Sequence, residues 1–217
     1  MPSRTLTWDP FVRLFHWSLV ALFAFTWWSG RQGIMWLDWH MIAGEAILAL
    51  ILFRVLWGFL GPRTARFTDF LRGPRAVIHE LRDLIRRRPH AHIGHGAAGG
   101  WMVLVLLVLV FVEAASGLFT SDDLFTSGPL THWVASDTED FLSGLHNDLF
   151  EVLKWLVGLH VAVVVLVYPL AVRVDLVRPM VTGYKKAAGS GIALTGGVWL
   201  RGGVLLAACG AAVYALI

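Results

Sequence analysis

Long apolar blocks constrain the fold of this chain more than any other sequence feature. Only 15% of the residues are charged, against about a quarter in soluble domains. Blocks of this length in such a sequence predict transmembrane helices, because backbone polar groups inside hydrocarbon must bond within the segment. Four blocks are long and uniformly apolar, and a fifth with Arg201 near its start is weaker; they cover residues 12–30, 40–60, 99–119, 145–172 and 196–217.

These blocks predict an all-α integral membrane protein with a single membrane domain over residues 1–217. A four-helix transmembrane bundle occupies residues 8–172, a cytoplasmic linker covers 173–195, and a fifth, C-terminal transmembrane helix covers 196–217.

The connecting segments alternate in charge. Eight arginines lie between residues 61 and 95, whereas residues 120–144 hold no Lys or Arg. The positive-inside rule then places the N-terminus and the arginine-rich loop in the cytoplasm. The loop at 120–144, which we expect to be irregular up to Ser143, faces outward and carries Asp122, Asp123, Asp137, Glu139 and Asp140.

A short amphipathic helix is predicted within the arginine-rich loop. Pro74 is a favourable first-turn residue, and Pro89 ends the segment after Arg88. Apolar residues recur between them at helical spacing, while the other faces carry charge. We therefore expect this helix to lie on the cytoplasmic membrane surface; the alternative is a solvated linker. The location of the basic residues also explains the net charge of +3 without a nucleic-acid partner.

Four histidines occupy matching depths in the predicted helices. His146 and His160 are fourteen residues apart in one block. This spacing is close to four helical turns, so both rings leave one face about 21 Å apart along the axis. His16 lies near the cytoplasmic start of the first helix, and His40 lies at the outer start of the second. Depth therefore pairs His16 with His160 and His40 with His146. Imidazole pairs of this kind are typical axial ligands of b-type haem, and the arrangement predicts two non-covalent haems stacked across the bilayer.

The same spacing singles out Arg54 and, with less weight, Gly44. Arg54 follows His40 by fourteen residues, so it shares that face at the depth of the inner pair and can pair with a haem propionate; snorkelling to the cytoplasmic surface is the alternative. Gly44 follows His40 by four residues and would let a porphyrin approach the backbone. Glycine is also common at contacts between membrane helices.

Other polar residues carry weaker signals. Glu45, Glu113 and Lys154 fall within the apolar blocks as proton carriers or ion-pair partners, with Lys154 expected to pair with a carboxylate. His90, His92 and His95 have a spacing compatible with metal binding, but they follow an arginine run in a polar loop. The lone Cys209 excludes a disulfide within the chain, and no C-x-x-C-H motif for covalent haem is present.

Several segments resemble the bacterial cytochrome b561 family, which includes the cytochrome b subunits of nickel–iron hydrogenases. The resemblance runs over about residues 8–172 in the same order and includes the fourteen-residue histidine spacing of the fourth helix. The segments are WDPFVRLFHW (8–17), HMIAGEAILALILFRVLWGFLG (40–61) and GHGAAGG (94–100). Where many relatives read G-H-N-P, this chain has Gly94-His95-Gly96-Ala97.

The resemblance implies a four-helix haem bundle of the bacterial inner membrane. Such proteins carry two b haems, with ligands that match His16, His40, His146 and His160, and pass electrons between quinone and an extracytoplasmic partner. That partner is a hydrogenase-like subunit or a c-type cytochrome, and we expect quinone to react near the cytoplasmic ends of helices one and four. Whether the chain is itself an enzyme or an electron-transfer subunit of a respiratory oxidoreductase stays open, as does its oligomeric state. A superoxide:quinone oxidoreductase and a haem-free structural membrane subunit are the alternatives.

Overall fold

The computed structural model describes residues 4–88, 94–121, 126–186 and 191–217. Its long helices are α1 (Pro10–Ser29), α2 (Leu37–Leu60), α5 (Ala97–Gly117), α6 (Ser136–Ala162) and α9 (Gly196–Leu216). The shorter α-helices are α3 (Phe67–Phe70), α4 (Pro74–Ile85), α7 (Tyr168–Val172) and α8 (Val177–Thr182). Single 3-10 turns are at Ile34–Trp36, Arg63–Ala65 and Thr131–Trp133. Five helical segments of the described chain are long and apolar enough to cross a membrane, the fifth being α9. The predicted all-α integral membrane fold is thus confirmed.

The described residues form two compact units. The described parts of Met1–Leu14, Arg54–Leu106 and Leu156–Gly203 form the first unit, and those of Phe15–Phe53, Leu107–Trp155 and Val204–Ile217 form the second. In the first unit, α9 packs against the start of α1. The ring of Trp199 lies 5.6 Å from that of Phe11, and a Cβ at Gly202 would overlap the Phe11 ring. A glycine is therefore required where α9 crosses α1.

The start of α1 is fixed by a buried cap. Asp9 Oδ1 accepts hydrogen bonds from the backbone N–H groups of Phe11 and Val12, at 2.9 and 3.1 Å. Pro10 occupies the first helical position, where no N–H is needed. Residues before the cap form an antiparallel two-stranded sheet, in which β1 (Arg4–Leu6) pairs with β2 (Tyr184–Lys186). The sequence analysis did not predict this sheet, because each strand is only three residues long.

The fourth membrane segment begins earlier than predicted. We expected irregular structure up to Ser143, but α6 begins at Ser136. Asp137 and Glu139 lie in its first turn, where the partial positive charge of the helix N-terminus favours carboxylates. The predicted irregular loop is therefore wrong over residues 136–143. Asp122 and Asp123 lie outside the described residues.

The C-terminal end of this segment departs from regular α-helix. A π-helical turn, Val163–Val167, joins α6 to α7. Pro169 accounts for the change, because proline lacks an N–H and its ring clashes with the carbonyl four residues earlier. The Tyr168 hydroxyl donates a hydrogen bond to Glu80 on α4 over 3.3 Å, and α7 packs on α4.

The amphipathic helix α4 is slightly shorter than predicted. It ends at Ile85, not at Arg88, and Arg87 adopts the left-handed conformation with a φ of 55°. This conformation stops the helix before Pro89 can do so.

Lys154 pairs with Glu151 on α6 at 2.6 Å, which confirms the expected carboxylate partner.

Candidate haem-ligand site

Two of the predicted ligands meet in the second unit. The rings of His40 on α2 and His146 on α6 have their centroids 6.3 Å apart and are nearly perpendicular. An imidazole nitrogen binds a first-row metal at about 2 Å, so two rings bound on opposite sides of one ion have their centres about 6 Å apart. The observed separation fits one metal ion with two axial imidazoles.

Both rings are oriented by backbone carbonyls. His40 Nδ1 donates to the carbonyl oxygen of Thr26, and His146 Nδ1 donates to that of Glu113, each over 3.0 Å. A carbonyl accepts only, so Nδ1 carries the proton in both rings and Nε2 keeps its lone pair for a metal. A second hydrogen bond of this kind is what fixes the orientation and basicity of metal-binding histidines.

The two rings sit in matching cradles on different helices. Ser29 Oγ lies 3.4 Å from His40 Nδ1, and Ser116 Oγ lies 3.5 Å from His146 Nδ1. The glycine after each serine leaves room for the ring, since a Cβ at Gly30 would come within 3.1 Å of His40 and one at Gly117 within 3.0 Å of His146. Carbonyl, serine and glycine thus recur at relative positions i, i+3 and i+4.

These cradles are not among the sequence-based predictions. The signal was a Ser-Gly pair at the end of each supporting helix, at residues 29–30 and 116–117. The sequence predicts Glu113 only as a proton carrier or ion-pair partner. In the structure a carboxylate oxygen of Glu113, Oε1, lies 3.5 Å from His146 Nδ1, in addition to the contact of its carbonyl.

The other two predicted ligands belong to different units. His16 lies on α1 in the second unit, edge-on to Trp17 with ring centroids 5.1 Å apart. His160 lies half-buried near the end of α6 in the first unit, just before the π-helical turn. Their pairing stays a prediction from the sequence. Gly44 faces open space, since a Cβ there would meet nothing within 4 Å.

Arg54 is buried in the first unit, not extended to solvent. It is 2% exposed, and its guanidinium lies over the Phe67 and Phe70 rings at 5.2 and 6.0 Å. Its Nη1 has no hydrogen-bond partner among the described residues. A buried, incompletely satisfied guanidinium favours a further anionic ligand over snorkelling.

Asp9 acts electrostatically on Arg54. Its Oδ1 accepts a hydrogen bond from Trp57 Nε1 over 3.3 Å, while Oδ2 has no partner among the described residues. Burial raises the pKa of the Asp9 carboxyl, against the opposing effects of its hydrogen bonds and of Arg54. Asp9 therefore attracts Arg54 but does not form an ion pair with it. The guanidinium of Arg54 can still bind a second anion.

The predicted histidine cluster is only partly described. His90 and His92 lie outside the described residues. The His95 ring packs between Trp8 and Phe70, at centroid distances of 4.5 and 4.8 Å. Within the described ranges, no group of three or more His, Cys, Asp or Glu side chains has the geometry of a metal site.

These observations define the chain as a helical protein with five candidate membrane spans and a pair of facing imidazoles between two of its helices, an arrangement that membrane b-type cytochromes share. The family model described as prokaryotic cytochrome b561 matches residues 7–183, and the chain belongs to that family. No match was found among curated proteins or among solved structures. Proteins of this family typically bind haem b and transfer electrons within membranes.

Proposed function

We propose that this protein is a dihaem cytochrome b that carries electrons across the bilayer, as the electron-transfer subunit of a respiratory oxidoreductase. His40 and His146 bind the outer haem, and His16 and His160 bind the inner one. The separation of 6.3 Å between the His40 and His146 rings, with each Nδ1 held by a carbonyl, carries the proposal.

The proposed inner haem site is argued from the residue spacing of the histidines and from the position of Arg54. His160 follows His146 by fourteen residues along one helical segment, and Arg54 follows His40 by the same interval. The buried guanidinium is suited to a propionate of the inner haem. Gly44 provides the space in which a porphyrin approaches α2.

Haem, when bound, supplies one-electron redox chemistry, and the protein sets its ligands, charge and access to water. His40 and His146 each offer Nε2 to the iron, and the carbonyl bonds at Nδ1 make these nitrogens more basic. The Ser-Gly cradles keep both rings in place during oxidation and reduction. Arg54 adds a fixed positive charge on the cytoplasmic side.

The charge distribution sets the proposed orientation. The arginine-rich loop and the N-terminus face the cytoplasm of a bacterial cell, and the protein lies in the inner membrane. Quinone then reacts near the cytoplasmic ends of α1 and α6, close to the inner haem. An extracytoplasmic hydrogenase-like subunit or c-type cytochrome reacts at the outer haem.

Haem content of the purified protein tests the proposal. A pyridine haemochrome assay should give two non-covalent b haems per chain, and one haem or none would contradict it. His40→Ala and His146→Ala should each remove the same redox titration step, and His16→Ala and His160→Ala the other. His132→Ala, an exposed control, should leave both steps intact. Steady-state superoxide consumption by the wild type would support a superoxide:quinone oxidoreductase instead.

A further inference from the structure

The helix α4 in the first unit turns both of its acidic residues inward and exposes three of its aliphatic residues on the other side. Asp83 is 6% exposed, and Glu80 accepts hydrogen bonds from the Ala98 backbone N–H and the Tyr168 hydroxyl. The other face exposes Ile78, Leu81 and Ile85 by 49%, 46% and 81%. A helix in contact with water alone would show the opposite arrangement.

Contacts with the ends of two membrane segments place α4 at the membrane–water boundary. Trp101, in the second turn of α5, donates its indole N–H to the Arg72 carbonyl just before α4 over 2.8 Å. Tyr168 binds Glu80 from the end of the fourth segment. Tryptophan and tyrosine are the side chains that concentrate at this boundary. The helix therefore lies at the level of the lipid headgroups.

A row of arginines runs beside the apolar row. Arg75, Arg82 and Arg86 are exposed, and their spacing of seven and four residues keeps them on one strip of the helix. Ile78, Leu81 and Ile85 form the adjacent strip. Positive charge next to exposed aliphatic surface complements a phosphate group and the acyl chains joined to it.

We propose that α4 is a binding site for anionic phospholipids of the surrounding leaflet. The arginine row contacts the phosphates, and the apolar row enters the adjoining acyl region. The match in charge favours lipid over a second copy of the chain, since the same arginines would repel their counterparts across a symmetric contact. This site is additional to the proposed electron transfer and independent of it.

Native mass spectrometry of the delipidated, full-length protein measures the binding. The wild type should retain phosphatidylglycerol more tightly than phosphatidylcholine. The triple variant Arg75→Gln, Arg82→Gln, Arg86→Gln should lose at least about tenfold in affinity for phosphatidylglycerol, since each basic residue near an anionic surface contributes to binding. A matched control with the same change in charge is Arg63→Gln, Arg173→Gln, Arg178→Gln, which should keep the wild-type preference.

An equal loss of phosphatidylglycerol affinity in the control would show that only net charge matters and would contradict the proposed lipid site. Millimolar inorganic phosphate should not displace the lipid. Displacement would show that the site binds free phosphate and would contradict lipid as its ligand. The variant Ile78→Ser, Leu81→Ser, Ile85→Ser should also weaken lipid retention, and unchanged retention would overturn insertion of the apolar row. Circular dichroism and the haem spectrum should match the wild type in every variant, which separates failure of this site from failure of the proposed function.

Discussion

At the scale of single residues, the orientation of two imidazoles decides what the site can bind. His40 and His146 each donate Nδ1–H to a main-chain carbonyl, which favours the same tautomer in both rings. The supporting carbonyls, serines and glycines lie on α1 and α5, which themselves provide neither of these two ligands. Substitutions on those two helices should therefore affect the proposed outer haem without removing a ligand.

Gly117→Ala should weaken the proposed outer haem site. The added Cβ would lie 3.0 Å from the His146 ring, so the ring must move away from its present position. We expect about a tenfold loss in affinity for that haem, measured by haem titration of the apoprotein. Gly203→Ala is the matched control, because a Cβ there meets nothing within 4 Å. Equal effects of the two substitutions would show that the cradle does not position the ligand.

Arg54→Leu should lower the midpoint potential of the proposed inner haem. A buried positive charge favours the reduced haem, which is the less positive form, and Coulomb attraction is strong where water is excluded. Spectroscopic redox titration should show a shift confined to one of the two steps. Arg54→Lys retains the charge and should shift the potential less. An unchanged midpoint in Arg54→Leu would separate Arg54 from the haem.

At the scale of elements, Glu80 joins three helices of the first unit. It extends from α4 to the first turn of α5, where it accepts the N–H of Ala98, and to Tyr168 at the start of α7. A carboxylate is also favoured near the partial positive charge of a helix N-terminus. The close packing continues at Gly96, where a Cβ would overlap the Glu80 carboxyl group. The glycine at this position thus makes room for Glu80.

Glu80→Ala should destabilise the protein by about 1–3 kcal/mol, because it leaves the Ala98 N–H and the Tyr168 hydroxyl without their acceptor. The midpoint of thermal unfolding in detergent measures the change. Glu151→Ala removes a carboxylate that is 57% exposed and should cost well under about 1 kcal/mol. A similar shift in both variants would mean that Glu80 does not hold the helices together.

At the scale of the whole molecule, charge is distributed unequally between the two sets of connecting segments. The segment at 120–144, which we predict to face outward, has five acidic residues and no Lys or Arg, and three of the five lie at the start of α6. Trp133 and Phe141 are exposed by 61% and 67% there. We interpret this surface as the docking site of a basic redox partner, with a solvated loop kept negative only by topology as the alternative.

Neutralising the five acidic residues of this loop should slow electron transfer with the native partner at low salt. It should also flatten the dependence of the rate on ionic strength, because steering by charge is screened by salt. Stopped-flow kinetics of haem reduction or oxidation measures both effects. The variant Asp69→Asn, Asp175→Asn removes acidic charge from the first unit and should leave the rate unchanged. An unchanged rate after neutralisation of the loop would exclude electrostatic docking there.

The sequence by itself determined the membrane helices and the candidate ligands. Length and hydropathy are local properties, so the long helices were predicted to within a few residues except at the start of α6. There Asp137 and Glu139 in the first turn of α6 favour helix beyond the apolar block. A prediction from hydropathy leaves these residues out of the helix, because they are polar. The fourteen-residue spacing of His146 and His160 was likewise visible, since helical periodicity maps sequence interval onto depth.

Only the tertiary structure decided how these residues are supported. The carbonyls that orient His40 and His146 come from Thr26 and Glu113, and every residue has a carbonyl, so no side-chain pattern identifies the acceptor. The burial of Arg54 depends on Phe67 and Phe70, which follow it after a turn of the chain. The inward direction of Glu80 depends on where α5 and α7 begin. Contacts between distant segments select one arrangement from many that the same local patterns permit, and periodicity within one helix carries no information about them.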